Sequence, residues 1–388
     1  MRGLHPNQRE RAGRARARGA SALAVKAALV AAALACLAGA RGEDFARPHG
    51  LFILDGAGGT PWNGETLRDA NIRSYPFVSG YTLRVWWDFV ESAPGAYDWA
   101  IFDNIFAKLP AGQKLSIILS PYDPSYIAQA PGAIAWQDED RDGLPLTRCV
   151  PWDPYLRERR HAYIEALAAH EVGGVALRDR PEFAVVNTHL PGGHTGIRDP
   201  GLMNLHDMTG YTRAILLATV QDELRLLTDN FPNQFMQIGF WKVLDHEGGL
   251  EAWEEIRQAL LAEFNGVARP RIGFFMENLA ANRPAPGADP VTGLPTTTFG
   301  APLYLSQGEA WTAFQALTSW KRPFGGKDDK VANATPFDGM QYAYDTYGTR
   351  YFEIYIPDID NTDWHADFQT WHDLLEGGSS TVAGWRGY

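Results

Sequence analysis

From residue 50 onward, short apolar runs alternate with longer stretches in which apolar residues recur every three or four positions. Eight of the short runs read as strands: 51–55, 82–87, 114–120, 183–188, 235–241, 271–277, 312–318 and 350–356. Several are apolar on both faces, as in Leu115-Ser116-Ile117-Ile118-Leu119, which is the pattern of strands covered on both sides. Between them, 154–170, 211–228, 250–264 and 364–375 carry helical spacing. Asp153 before Pro154 reads as an N-cap followed by proline at the first helical position. Such alternation predicts an α/β fold, a single (β/α)8 TIM barrel with long rim loops. An open doubly wound sheet is the alternative, but Asp55-Gly56-Ala57-Gly58-Gly59 is only a loose echo of a phosphate-binding turn. Two inserts rich in Pro, Gly and Thr, 121–151 and 281–309, follow strands 3 and 6 and should emerge on the C-terminal rim.

The first forty residues break this pattern. Seven basic residues, Arg2 to Lys26, precede an apolar run over 27–37, and Ala38-Gly39-Ala40 supplies a small-x-small site. The stretch reads as a signal peptide over 1–40, with the (β/α)8 domain over 41–388 and export to the periplasm or exterior. The run is shorter than the roughly 20 residues a bilayer span needs, so no stable membrane insertion is expected after cleavage. Ala33-Leu34-Ala35-Cys36 is a poor lipoprotein box. Removing the seven basic residues and single acid of 1–40 from totals of 35 and 46 leaves 28 against 45, a net charge near −17. That balance argues against nucleic acid, whose phosphates demand a basic face, and against anionic lipid. A neutral polymer suits it better. Cys36 leaves with the leader, so Cys149 stays alone and the fold rests on its core.

Residues 82–103 read TLRVWWDFVESAPGAYDWAIFD, with Arg84, Trp87, Glu91, Gly95, Tyr97, Asp98, Trp99 and Asp103 at fixed spacing. This stretch resembles the second βα unit of clan-A glycoside hydrolases of the β-galactosidase-like and cellulase-like groups. The likeness covers about residues 50–190. It implies a secreted glycosidase with a carbohydrate substrate at the C-terminal rim and no cofactor. It also implies an acid/base glutamate after an asparagine at the end of strand 4. Asn187 keeps its place, but Thr188 stands where that glutamate would be.

Glycoside hydrolysis needs two carboxyl groups, so the carboxylates near strand ends are the catalytic candidates. Glu277 closes an apolar run, Glu309 precedes strand 7, and Glu353 lies among aromatics in strand 8. Asp358 and Asp360 follow that strand. Trp87, Asn187, His189, Trp241, Asn278, Gln315 and Trp320 are candidates for binding sugar rings and hydroxyls; Trp86, Trp152 and Trp311 are further aromatics near the rim. For each indole, core packing is the competing role. His189 and His194 can donate protons or, less readily, hold zinc, although no third ligand is evident. Asp138-Glu139-Asp140-Arg141-Asp142-Gly143 opens like a calcium loop, but Cys149 fills its twelfth position, so no metal is expected. Asn333-Ala334-Thr335 is a formal glycosylation sequon. A carbohydrate-binding barrel that has lost its acid/base glutamate is the alternative function, and a metal-dependent barrel hydrolase is a third.

Overall fold

The computed structural model describes residues 47–54, 74–120, 122–139, 144–193, 196–197, 203–241, 243, 252–266, 269–284, 286, 300–316, 320 and 334–376. The segment 1–40 read as a signal peptide, His194, Asp140 to Gly143 and Asn333 lie outside the described residues. Eight parallel strands close into a barrel in chain order: β1 (Gly50–Leu54), β2 (Gly80–Trp86), β3 (Lys114–Ser120), β4 (Phe183–Thr188), β5 (Phe235–Gly239), β6 (Ile272–Leu279), β7 (Trp311–Ala316) and β8 (Tyr351–Tyr355). The ring closes where β1 pairs with β8, from Gly50 opposite Tyr351 to Leu54 opposite Tyr355. All eight runs read from the sequence are therefore barrel strands.

The helices that cover the barrel are α1 (Ala100–Lys108), α2 (Pro154–Ala169), α3 (Arg213–Asn230), α4 (Ala252–Phe264), α5 (Pro336–Tyr347) and α6 (His365–Glu376). Asp153 caps α2 as its sequence position predicts: Oδ1 accepts from the Leu156 amide at 2.8 Å, while Oδ2 ties down the Ile134 amide at 2.8 Å. Helix α5 begins with a capping box, Thr335 with Asp338, and ends at Gly348 in the left-handed region (φ +65°). The insert after β3 is not irregular throughout. It holds a short helix, Ser125–Ala128, and a hairpin, Ala135–Glu139 with Pro145–Cys149. Its alternation buries Trp136 and Asp138, and the buried Asp138 is balanced by Arg148 at 2.7 Å.

The N-terminal end of the barrel is filled by aromatic rings. A Cβ on Gly80 would stand 2.4 Å from the Phe52 ring, and one on Gly273 would stand 2.3 Å from Trp311. Those two positions give up their side chains so that the indole and phenyl can lie across the barrel floor. Phe52 also leans on Tyr351, with ring centroids 4.4 Å apart.

Behind β4, Thr188 turns away from the barrel toward α2 and α3. Its hydroxyl donates to Glu223 Oε1 at 2.8 Å and accepts from Arg160 at 3.2 Å. Burial alone would raise Glu223, but Arg160 and Arg157 outweigh it and hold the carboxyl at about 2. The position read as the acid/base site is thus part of a buried ion-pair network that welds two helices to the barrel wall.

Candidate active site

Along a strand, residues two apart share a face. On β8 this places Tyr351, Glu353 and Tyr355 together, and on β2 it aligns Thr82, Arg84 and Trp86. These two rows meet inside the barrel. The Tyr351 hydroxyl donates to Glu353 Oε1 at 3.4 Å and lies 3.5 Å from Thr82 Oγ1. Above them, Arg84 Nη2 donates to Gln315 Oε1 at 2.9 Å, and Gln315 Nε2 donates to the Tyr355 hydroxyl at 3.2 Å. The same Arg84 nitrogen lies 3.6 Å from Glu277 Oε1, with both side chains about one-fifth exposed (20% and 22%). This is the open end of the cluster.

Glu277 owes its position to a bulge. The β6–β7 register slips between Met276 and Leu279, so Glu277 and Asn278 together take one extra residue's length at the strand end. Bulges of this kind re-aim a side chain, here at the barrel mouth. Asn278 is buried beside it.

Glu353 is fully buried, and burial pushes its carboxyl up to about 8; the Arg84 charge opposes this and the Glu277 charge adds to it. Its Oε2 has no hydrogen-bonding partner among the described residues. Burial likewise raises Tyr355 to about 12. Across the interior, Asn187 on β4 lies in register with Gln237 on β5, and both are fully buried. None of their four amide oxygen and nitrogen atoms has a partner among the described residues. Two buried amides with unmet donors and acceptors are suited to hydroxyl groups.

The structure therefore brings Glu277, Glu353, Gln315 and Asn187 to the barrel interior and mouth. Trp320 reaches the same rim: half-buried, it packs on Leu54, Ile118, Ala316 and Tyr355, and its amide donates to Asp358 Oδ2 at 3.0 Å. Three other candidates go elsewhere. Glu309 is exposed just before β7, at the N-terminal end of the barrel, because the stretch Gln307–Ala310 is the turn that enters the strand. Trp87 is buried outside the barrel wall, stacked on Tyr163 at 5.3 Å and donating to Glu91 Oε2 at 2.7 Å. Trp241, by contrast, stays on the interior side past the end of β5: it is buried, and a Cβ on Gly239, which shares the Gln237 face, would stand 2.2 Å from its ring. His189 is buried after β4 with Nδ1 accepting from the Gly196 amide at 2.7 Å, a loop-bracing bond. Trp152 donates to the Thr209 carbonyl at 2.9 Å, and Asp360 accepts from Tyr75 at 3.4 Å.

Sequence reasoning named Arg84 only as part of a motif and missed Thr82, Gln237, Tyr351 and Tyr355. The alternation Tyr351-Glu353-Tyr355 was the available signal. The rest of the motif is structural: Glu91 accepts from Trp87, from the Gly95 amide at 2.8 Å and from Arg159, and Asp98 caps the Ala100 amide at 3.0 Å. Among the described residues no group of three or more His, Cys, Asp or Glu is placed to hold a metal ion. Asp138, from the calcium-like stretch, is the partner of Arg148.

No protein-family model and no curated protein matches the chain. Solved structures do. The chain is similar to the catalytic domain of a β-amylase from Paenibacillus polymyxa, with a TM-score of 0.51 and 11% identity over 85% of this chain and 98% of that one. It is also similar to an endo-1,4-β-mannanase from Rhizomucor miehei, with a TM-score of 0.50 and 11% identity over 85% and 96%. At such identity the likeness is one of fold: the chain has the (β/α)8 barrel seen in these glycoside hydrolases.

Proposed function

We propose that the protein is a glycoside hydrolase that takes a polysaccharide or oligosaccharide at the C-terminal mouth of its barrel. The observation that carries the reading is that Glu277 and Glu353, from β6 and β8, both lie near Arg84, and the Glu277 charge helps to raise Glu353. Two carboxyl groups in unlike surroundings are what acid–base cleavage of a glycosidic bond uses. Glu353 holds its proton through neutral pH and is the donor; Glu277, ion-paired at the open mouth, is the carboxylate that acts as nucleophile or base. Gln315, Asn187 and Gln237 bind hydroxyls, and Trp320 offers an apolar ring at the rim. The names of the β-amylase and mannanase that share the fold support a carbohydrate ligand. The basic and then apolar N-terminus supports export by a cleaved leader. Among the described residues no helix is long and apolar enough to cross a membrane.

The test is hydrolysis of a broad panel of polysaccharides and aryl glycosides by residues 41–388, beside Glu277→Gln. Loss of activity in a folded variant is the expected result, and activity retained in it refutes the assignment. A second reading, a barrel that binds sugar without cutting it, draws on Thr188, which faces Glu223 and Arg160 rather than the barrel interior. Sugar binding with no turnover by either protein would favour it.

A further inference from the structure

Beyond the end of β2, a cavity of about 430 Å³ opens between the residues after β2, those after β3 and the hairpin that ends at Cys149. Its volume falls within the roughly 300–1,000 Å³ of small-molecule sites. One wall is a column of flat groups: Phe89 stacks on Trp86 at 5.2 Å and 4°, Trp86 meets Tyr122 at 4.5 Å, and the Arg148 guanidinium lies 4.7 Å over Tyr122. Phe89, 48% exposed, leaves its ring open to a ligand. Asp88 and Asp123 also line the cavity. Asp123 Oδ2 accepts from the Gly192 amide at 3.0 Å. Its Oδ1, and the Oδ1 of Asp88, are buried without a hydrogen-bonding partner among the described residues.

Burial raises Asp88 to about 6 and Asp123 to about 7; Arg148 lowers both, and the Asp88 charge adds to the rise at Asp123. Unmet carboxyl oxygens want donors, and a flat aromatic wall wants an apolar face. A pyranose ring supplies both. A divalent cation would meet the Arg148 charge, and of the three carboxyl groups lining the cavity Glu91 is already taken by Arg159, Trp87 and the Gly95 amide. Trp86 stands two residues beyond Arg84 on the same face of β2, roughly 6–7 Å along the strand, so the cavity adjoins the Glu277 centre.

We propose that this cavity is a sugar-binding subsite, in which Asp88 and Asp123 accept hydroxyl hydrogen bonds from one ring of a neutral oligosaccharide stacked on Phe89. It rests on the reading of the protein as a glycoside hydrolase, and it makes the ligand an oligomer whose further rings reach the barrel mouth. The experiment is calorimetric titration of cellotriose, mannotriose and maltotriose into the wild type, Asp88→Asn, Asp123→Asn and Phe89→Ala, beside Glu277→Gln and the methyl monosaccharides. At least one trisaccharide binds the wild type; each aspartate variant weakens it by roughly tenfold, the value of a charged hydrogen bond, and Phe89→Ala weakens it by roughly fivefold or more through the lost stacking face. Phe89→Ala, at an exposed position, keeps the test valid if either aspartate variant fails to fold. Trisaccharide affinity within twofold in Phe89→Ala and the folded aspartate variants overturns the subsite, and so does a wild type that binds none of the three. Hydrolysis lost in Glu277→Gln but normal in the cavity variants sinks the subsite alone. Weakened binding in the cavity variants of a protein that hydrolyses nothing sinks the catalytic reading alone.

Discussion

Arg84 and Glu277 meet at 3.6 Å although they stand on β2 and β6, strands separated by three others in either direction around the barrel. The pair spans the mouth, and Gln315 takes the remaining reach of the same Arg84 nitrogen at 2.9 Å. An arginine so placed positions one carboxylate and biases the charge of the other.

Replacing Glu277 by Gln keeps the shape and removes the charge. The expected result is a fall in kcat/KM of roughly 10²–10⁴-fold with an unchanged melting curve. Arg84→Met should also lower kcat/KM, because it frees Glu277 to move and leaves Gln315 half-bonded. Steady-state kinetics on whichever panel substrate is hydrolysed checks both, and a wild-type rate in Glu277→Gln refutes the role.

Glu353 sets a pH dependence with a definite sign. Its folded value, about 8, lies above its ordinary 4.5, so the folded state holds a proton that the unfolded chain releases. Its contribution to stability is complete below about 4.5 and is lost as pH rises through about 8, on the order of a few kcal/mol. Urea unfolding from pH 5 to 9 should show this decline, and Glu353→Gln should flatten it. As proton donor, Glu353 also predicts a hydrolysis rate that falls above about pH 8. Identical slopes in the two proteins would remove Glu353 from the account.

Thr188→Glu is a sharp control, since it writes the acid/base residue of the resembling enzymes back into the chain. It should restore nothing. The new carboxylate would face Glu223 in the buried network and cost roughly 3–5 kcal/mol, seen as a lowered Tm. A gain in turnover would show that position 188 can swing into the barrel.

Gly273→Ala pushes a methyl into the Trp311 ring, 2.3 Å from the new Cβ, and should destabilise by roughly 1–3 kcal/mol. A double variant with Trp311→Leu should recover part of the loss. Strict additivity in denaturant titrations would show that the two do not touch.

The strands were legible because their apolar runs are continuous and their spacing regular, as in 115–119. The site was half legible. Glu277 ends such a run, and Glu353 stands out as a charge among aromatics. Glu309 misled because local sequence does not say at which end of a strand a loop residue lies. Trp87 misled because an indole beside a strand serves the outer wall as well as the mouth. Gln237 and Asn187 were not legible as a pair, since their register is set by the pairing of β4 with β5, across 50 residues of chain. Asp88 and Asp123, in the cavity beyond β2, likewise come together only when the segments after β2 and β3 fold over each other.

The floor of Phe52 and Trp311 makes the barrel a cul-de-sac. Whatever enters the mouth leaves by the same doorway, so no glycan can be threaded through the axis. For the glycoside hydrolase proposed above, a long chain would lie across the rim and reach Glu277 from that side alone, and each product would leave the way it came. Turnover would then be paced by traffic at a single gate, and the residues that line it would govern release as much as cleavage.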